Sequence, residues 1–202
     1  MHTGLKNNSA PYMKKTLSFI LLWLIYGELH SATLRIAVPE NLPPYIYPQN
    51  NNHSKPGFEI EIALEALSNF DYQVEFVYVP LSRLSYMLNT DRVDGALTIS
   101  DALSAPNTCL TAPYISYQNI AISLAKNNFY IKELADLANK RIIAFQNATH
   151  YLDPAFSAAI ISSPDYREMR NQELQVKNLF LERTDLLIMD INIFEYFQPS
   201  NH

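Results

Sequence analysis

Five side chains that could contact a small molecule follow directly after predicted strands. Strand "LRIAV" leads to Tyr45, strand "VDGALTI" to Thr98 and Ser100, strand "RIIAF" to Thr149, and strand "LLIM" to Asp190. In open α/β sheets, ligands bind beyond the carboxyl ends of the strands. Hydroxyls, a carboxylate and an aromatic ring at these ends therefore predict a cleft for a small polar ligand. Helix capping by Ser100, Asp101 and Thr149 is the structural alternative.

The sequence carries no motif of enzymatic catalysis. It has no Gly-rich phosphate loop, no H-E-x-x-H pair and no G-x-S-x-G elbow. Cys109 is the single cysteine, so an internal disulfide and a cysteine-based zinc site are both excluded. We expect Cys109 to be a small buried hydrophobe. We also expect no catalytic residue, no metal and no cofactor.

The first 32 residues have the order of a secretory signal. Lys14 and Lys15 form a basic segment, "TLSFILLWLIY" is a short apolar run, and "GELHSA" ends in small residues. A run this short is not expected to cross a hydrocarbon core of about 30 Å as a helix. We predict an exported chain that begins at Thr33, with either Met1 or Met13 as the initiating residue.

The composition of the exported part argues against a nucleic-acid partner. Without residues 1–32 the chain has 12 basic and 19 acidic side chains, a net charge of −7. Binding to phosphates requires a basic face. We therefore expect a small-molecule ligand and no nucleic acid.

Strand-like apolar runs alternate with amphipathic segments, which predicts an α/β fold with a mostly parallel sheet. In residues 57–70 apolar side chains recur at three-to-four spacing, so Glu59, Glu61 and Glu65 are predicted to lie off the apolar face. The strand candidates are "LRIAV", "VEFVYV", "VDGALTI", "NIAISLA", "RIIAF" and "DLLIMD".

A weak architectural repeat favours two similar lobes. The segments "SRLSYMLNTDRVD" and "ELQVKNLFLERTD" each combine a predicted helix with a polar joint that ends in aspartate, and each precedes a strand. Two unrelated α/β units would give the same pattern.

Six segments occur in the order and near the spacing of a known family. They are "LRIAVPENLPPYIY", "PGFEIEIALEAL", "LNTDRVDGALTIS", "TAPYISYQNIAISLAKN", "IKELADLANKRIIAFQNAT" and "ERTDLLIMD". Over residues 34–190 the chain resembles the periplasmic solute-binding proteins of the amino-acid-binding type, family 3. The segment "VPLSRL" is similar to a proline-x-x-arginine variant of one subgroup.

This resemblance implies a two-lobed, periplasmic-binding-protein-like fold of type II. Residues 1–32 would be an N-terminal extension and signal peptide, 33–117 lobe 1, and 118–202 lobe 2 with a truncated crossover. A first crossing is expected near residues 114–120. The implied function is capture of a solute between the lobes, in the periplasm, by a monomer that delivers it to an ABC-type transporter permease or a sensor.

Ligand-binding positions follow from the resemblance residue by residue. Tyr45 matches an aromatic position in the loop after the first strand. Thr98 and Ser100 match the polar strand end of lobe 1, and Thr149 matches the polar helix start of lobe 2. Asp190 matches the carboxylate that receives a ligand ammonium.

Two positions depart from the family pattern. Leu42 stands where many members stack an aromatic ring on the ligand. Leu103 stands where members that bind α-amino acids carry an arginine for the ligand carboxylate. No lysine or arginine occurs between Arg92 and Lys126, so we expect a ligand other than an ordinary α-amino acid, unless Arg83 supplies the charge.

The chain has only twelve residues after Asp190, where members of the family continue into a return segment of lobe 1. We therefore expect that return segment to be truncated. Two alternative functions remain. One is a degenerate or interaction-only fragment, and the other is a secreted dehydratase-like enzyme on the same fold.

Overall fold

The structure is a computed structural model that describes Met1 and residues 32–49, 55–100 and 108–199. The chain divides into two compact units, Met1–Ala32 and Thr33–His202. The predicted signal peptide, except Met1 and Ala32, lies outside the described residues, and so does Leu103. No helix in the described ranges is both long and apolar enough to span a membrane.

In the described residues, seven strands form two sheets. Sheet A has three strands in the order β2-β1-β3, and sheet B has four strands in the order β4-β7-β5-β6. The strands are β1 Ala32–Pro39, β2 Tyr72–Val79, β3 Gly95–Ala96, β4 Asn119–Ile122, β5 Arg141–Phe145, β6 Asp165–Met169 and β7 Leu186–Asp190.

Pairing is mostly parallel, as predicted. β1 pairs with β3 in parallel, with Ile36 opposite Gly95, and β5 pairs in parallel with both β6 and β7. β4 is antiparallel to β7, with Asn119 opposite Asp190. Because β5 and β7 are parallel, their carboxyl ends lie at the same end of sheet B. The predicted ligand side chains follow there.

Strand β6 was absent from the sequence prediction. Its sequence "DYREM" has three charged side chains in five residues, and none of its residues is fully buried. The strand forms at the edge of sheet B because β5 offers it a parallel partner over its whole length. This is a case in which tertiary pairing outweighs intrinsic strand preference.

The helices connect the strands. Six α-helices are present in the described part of the chain: α1 Phe58–Leu67, α2 Leu84–Asn89, α3 Ala148–Tyr151, α4 Pro154–Ala159, α5 Gln172–Phe180 and α6 Ile191–Phe197. Short 3₁₀ turns occupy Leu81–Arg83, Ala125–Asn127, Leu134–Leu137 and Ile160–Ser162.

Both sheets contribute to one hydrophobic cluster. Ile36 and Val38 of β1 belong to the same buried cluster as Ile143 of β5 and as Leu187 and Met189 of β7. Burial of each such side chain stabilises the fold by about 1.5–3 kcal/mol. The strand ends that carry the predicted site are therefore fixed by a shared core.

The prediction for Glu59 is wrong. It was expected off the apolar face of α1, but the structure buries it completely, at 0% exposure, next to the equally buried Ile60. Glu61 is partly exposed and Glu65 is exposed, as expected. At the start of a helix the preceding loop also packs against the side chains. Helical periodicity alone therefore does not predict which of two neighbouring residues there is buried.

Candidate functional site

A cavity of about 860 Å³ lies at the carboxyl end of β3. Its walls come from residues 94–96 and 98–100, from 108–115, and from side chains at the ends of β5 and β7, including Phe145 and Asp190. This volume is in the range of pockets that enclose small ligands. The cavity is the part of the described structure where the predicted strand ends converge.

Asp190 is the most heavily hydrogen-bonded carboxylate of the cavity wall. The side chain is 2% exposed and caps α6: its Oδ1 accepts from the backbone N–H of Asn192 at 3.0 Å and of Ile193 at 3.2 Å. The same Oδ1 accepts from the Tyr45 hydroxyl at 3.0 Å, while Oδ2 accepts from the Gln118 N–H at 2.7 Å. Asp190 therefore ties α6, β4 and the loop after β1 together.

Tyr45 holds Asp190 from the side of sheet A. The ring is 1% exposed and packs against Phe58 and Tyr117, with centroids 4.3 Å away in both cases. Its hydroxyl accepts from the Asn192 side chain at 2.9 Å while donating to Asp190. Tyr45 is not part of the cavity wall, so the structure places it behind Asp190.

Gly57 is required for this packing. Its φ is +110°, and a Cβ at this position would clash with the Tyr45 carbonyl and lie 2.8 Å from the Ile46 Cα. Only glycine adopts such a backbone without strain. The close approach lets the Glu59 N–H donate to the Tyr45 carbonyl at 3.0 Å, which sets the start of α1 against the Tyr45 loop.

Glu59 forms a second carboxylate centre behind the cavity wall. It accepts from the Tyr114 hydroxyl at 2.7 Å, from the Tyr117 hydroxyl at 2.5 Å and from the Thr98 N–H at 3.1 Å. The Thr98 hydroxyl lies 3.2 Å from both of its carboxylate oxygens. Four donor groups thus replace the water that an exposed glutamate would have.

The tyrosines around Glu59 are held in their neutral form. Burial raises the pKa of Tyr117 well above its ordinary value, and the Glu59 charge and hydrogen bond add to this rise. The pKa of Tyr114 is raised by the same causes in the same order. Burial, reinforced by Glu59 at a longer range, also raises the pKa of Tyr151. These hydroxyls therefore act as donors over the whole physiological pH range.

Thr98 adopts a conformation that is rare for its type. Its φ is +61°, in the left-handed region that β-branched residues avoid. The Glu59 bonds to its N–H and hydroxyl hold it there, and Tyr151 donates to its carbonyl at 3.2 Å. Thr98 lines the cavity, as the sequence prediction placed it, with its hydroxyl turned to Glu59.

Thr149 lies outside the cavity wall. Its N–H and its hydroxyl each donate to Glu168 Oε1 at 2.9 Å. Burial alone would raise the pKa of Glu168, but hydrogen bonds from Thr149, Tyr166 and Asn147 together lower it. Asn147 has a φ of +63°, in the left-handed region that asparagine tolerates. Thr149 is therefore already engaged within sheet B and its helices.

The remaining predicted site residues lie in different places. Leu42 and Ser100 line the cavity, and Leu42 is 5% exposed. Arg83 is exposed and is not part of the cavity wall. Cys109 was expected to be buried, and this is wrong: it is exposed and lies on the rim of the cavity. The segment that follows residue 107 has no regular secondary structure to bury it.

The family comparison decides the identity of the fold. The family model described as bacterial extracellular solute-binding proteins, family 3, matches residues 34–190. The chain belongs to this family. No curated protein matches the sequence.

Solved structures with the same fold include several amino-acid-binding proteins. An ancestral arginine-binding protein bound to glutamine is 21% identical with a TM-score of 0.65, and the match covers 82% of this chain and 72% of that chain. An arginine transport-system periplasmic binding protein from Legionella pneumophila is 19% identical with a TM-score of 0.64, covering 84% and 73%. An ancestral amino-acid-binding protein described as a precursor of cyclohexadienyl dehydratase is 20% identical with a TM-score of 0.65, covering 90% and 77%. The two-lobed type II fold predicted from the sequence is confirmed.

Sequence reasoning missed several parts of this solute-binding protein's site. Gln172, at the start of α5, lines the cavity although no strand precedes it in the prediction. Tyr114, Tyr117 and Phe145 also line it. The density of tyrosines just before β4 was the available signal for two of them. In the ranges that the structure describes, no group of His, Cys, Asp or Glu side chains is arranged to hold a metal ion.

Proposed function

We propose that this family 3 protein captures a small polar solute in the cavity and that an ordinary α-amino acid is not its ligand. The observation that carries the proposal is the charge of the wall. Among the described residues that line the cavity are the carboxylates Asp94 and Asp190 but no lysine or arginine. The sequence adds none, since residues 93–125 contain neither type.

A ligand carboxylate would be unpaired in such a cavity. Leaving a buried charge without its partner costs about 3–5 kcal/mol. That is a large part of the roughly 8 kcal/mol of a micromolar complex. Arg83 is exposed and outside the wall, so it does not offset this cost in the described arrangement.

Four of the predicted residues have roles that fit their positions. Thr98 and Ser100 provide polar contacts at the end of β3, Leu42 provides an apolar contact, and Asp190 Oδ2 accepts a donor from the solute. We assign Tyr45 to the positioning of Asp190, because its hydroxyl holds that carboxylate from behind.

The finer biological setting is also part of the proposal. The two lobes, 33–117 and 118–202, close around the solute by motion at the crossing near 114–120. The chain is exported to the periplasm by its N-terminal segment and acts as a monomer. It passes its solute to a transporter permease or a sensor in the membrane. We assign it no catalytic step.

A thermal-shift screen of the full chain tests this function. Amino acids, amines, oligopeptides and sugars are added separately, and at least one non-α-amino-acid solute is expected to raise the melting temperature. Ser100→Ala should weaken its binding about three- to tenfold, because one hydrogen bond of the cavity is lost. Ser162→Ala is the matched control, since Ser162 is exposed, lies outside the cavity wall and is far along the chain from the crossing.

Three results would contradict the proposal or part of it. A folded chain that no compound stabilises favours the interaction-only alternative, and size-exclusion chromatography with a stable partner would then support it. Strong stabilisation by common α-amino acids would leave the solute-binding role intact and remove the restriction on the ligand. Turnover of a carboxylated ring compound that Asp190→Asn abolishes would support the dehydratase-like alternative.

A further inference from the structure

We infer that the cavity is built for an organic amine that carries no carboxylate group, with Gln172 as a residue that recognises it. This inference rests on the proposed solute-binding function and names the chemical class of the solute. Three features carry it: an unsatisfied acceptor, the use of the wall's hydroxyls inside the protein, and the rings that line the cavity.

Gln172 presents a hydrogen-bond acceptor that the described protein leaves unused. The side chain is 8% exposed, and its Oε1 has no partner among the described residues. The residue lines the cavity from the start of α5. The Oε1 has almost no accessible surface in the described arrangement, and a turn of the terminal amide about its last torsion brings this acceptor to the adjoining cavity, where a group from outside the chain can pair with it. An amide oxygen needs a donor, which an ammonium group supplies.

Four hydroxyls of the wall are already used as donors. Tyr114, Tyr117 and Thr98 all direct their hydroxyls to Glu59, and Tyr151 donates to the Thr98 carbonyl. A ligand carboxylate would have to compete with Glu59 and the Thr98 carbonyl for these donors. The acceptors are in the opposite situation, because each carboxylate has about four lone-pair sites and Asp190 Oδ2 has one described donor.

Ser100 completes the polar part of the cavity. Its buried Oγ also lacks a partner among the described residues, and it lines the same wall. A serine hydroxyl both donates and accepts, so it adapts to either group of a ligand. The cavity therefore offers Gln172, Ser100 and Asp190 to a solute that brings its own donors.

Aromatic rings provide the rest of the recognition. Tyr114, Tyr117, Phe145 and Tyr151 line the cavity. Because their hydroxyls are fixed inside the protein, the three tyrosines turn ring surface rather than polar tips toward the ligand. Aromatic faces attract cations through the ring quadrupole. A solute with an ammonium group and an apolar body matches both the rings and the acceptors.

Matched compounds that differ only in one group test this inference on the full chain. Isothermal titration calorimetry is run with phenethylamine, phenylalanine and 3-phenylpropionate, and in parallel with agmatine, arginine and putrescine. We expect at least one amine to bind about tenfold or more tightly than its parent amino acid. The acid without an amine is expected to show no binding.

Substitution of Gln172 tests the assigned residue. Gln172→Leu keeps the volume and removes the acceptor, so amine binding should weaken about tenfold, or about 1.4 kcal/mol. Gln175→Leu is the control, because Gln175 is buried on the same helix, at 0% exposure, and its Oε1 also lacks a described partner, but it does not line the cavity. It is expected to lower the melting temperature without changing amine affinity in the folded protein.

The outcomes separate this inference from the proposed function. If an amino acid, sugar or peptide binds while every amine fails, the amine assignment is overturned and solute binding stands. If an amine binds equally well to wild type and to folded Gln172→Leu, the role of Gln172 is overturned. If neither these compounds nor the wider screen yields a ligand for the folded chain, both proposals fail together. The wild-type comparison of amine with amino acid needs no variant and decides the class even if Gln172→Leu does not fold.

Discussion

Two buried carboxylates, Asp190 and Glu59, adjoin the cavity but differ in the hydrogen-bond donors that replace their water. Asp190 caps a helix and accepts three backbone N–H groups and one tyrosine hydroxyl. Glu59 accepts one backbone N–H and three hydroxyls. Backbone donors cannot turn to other partners, whereas hydroxyls rotate. Asp190 is thus part of the chain's scaffold, and Glu59 holds adjustable side chains of the cavity wall.

The largest expected effect is loss of the Asp190 carboxylate. Asp190→Ala removes a helix cap and leaves buried N–H groups unpaired, so the free energy of unfolding should fall by about 4 kcal/mol. Denaturant unfolding at neutral pH measures it. Asp190→Asn keeps an oxygen that can cap α6 and should restore at least half of the loss. A cost below about 1 kcal/mol for the alanine variant would refute the scaffold role.

Loss of the Glu59 carboxylate should cost somewhat less. Glu59→Ala is expected to lower the free energy of unfolding by about 3 kcal/mol, because the freed tyrosine and threonine hydroxyls can reorient towards water or each other. Glu65→Ala on the exposed side of the same helix is the control and should change it by less than about 0.5 kcal/mol. Equal effects of the two substitutions would mean that the Glu59 network contributes nothing.

Alkaline pH should weaken the contact between the Asp190 centre and sheet A. Burial raises the pKa of Tyr45 to about 12, and Asp190 adds to this even though the Asn192 hydrogen bond opposes it. A raised folded-state pKa means that the stabilisation is complete below about pH 10 and is lost as the pH rises towards about 12. Up to about 3 kcal/mol is expected to disappear in that window.

Urea unfolding across this alkaline window measures the loss. Tyr45→Phe removes the titrating hydroxyl and should make the decline shallower. The remaining decline comes from Tyr114, Tyr117 and Tyr151, whose pKa values are shifted in the same direction. If stability declined identically in wild type and Tyr45→Phe, the Tyr45 hydroxyl would not be the group whose ionisation weakens the fold in this pH window.

Removal of a single tyrosine hydroxyl should cost more stability at Glu59 than at Asp190. Tyr117→Phe deletes a 2.5 Å bond to the Glu59 carboxylate and should cost about 2 kcal/mol. Tyr45→Phe deletes a 3.0 Å bond to a carboxylate that keeps three backbone donors, and about 1 kcal/mol is expected at neutral pH. Thermal or urea unfolding measures both, and the reverse order would contradict the comparison.

The smallest effect is expected at Tyr151. Its hydroxyl donates over 3.2 Å to the Thr98 carbonyl, so Tyr151→Phe should cost about 0.5 kcal/mol of stability. It should have a larger effect on solute affinity, because it loosens Thr98 in its left-handed conformation at the cavity. Calorimetric titration with the best solute of the screen measures this. Unchanged affinity would show that the Tyr151 bond does not position the wall.

Much of the architecture was predictable because buried parallel strands are nearly continuous apolar runs. β5 was predicted with its observed bounds, since "RIIAF" is apolar from Ile142 to Phe145 and buried there. β6 was missed, because an edge strand with exposed charges has no such signal. β3 was predicted as seven residues but has only Gly95 and Ala96, since the chain turns into the left-handed Thr98.

The candidate site was predictable only where a strand ends in a polar residue. Thr98, Ser100, Thr149 and Asp190 were proposed on that basis; the first two and Asp190 lie on the cavity wall, and Thr149 does not. Gln172 follows no predicted strand. Glu59 lay in an amphipathic helix whose periodicity predicted exposure. Neither could be recognised from local pattern, because each owes its position to packing between distant segments.

The sequence by itself determined the family, the alternation of strands and helices, the acidic charge, and the absence of lysine and arginine from residues 93–125. These properties depend on residue type and order along the chain. The tertiary structure decided which acidic groups are buried, which hydroxyls are used inside the protein, and which acceptor is left for a solute. Hydrogen bonds such as Tyr45 to Asp190 join residues 145 positions apart, and only the folded chain brings such groups within 3.0 Å.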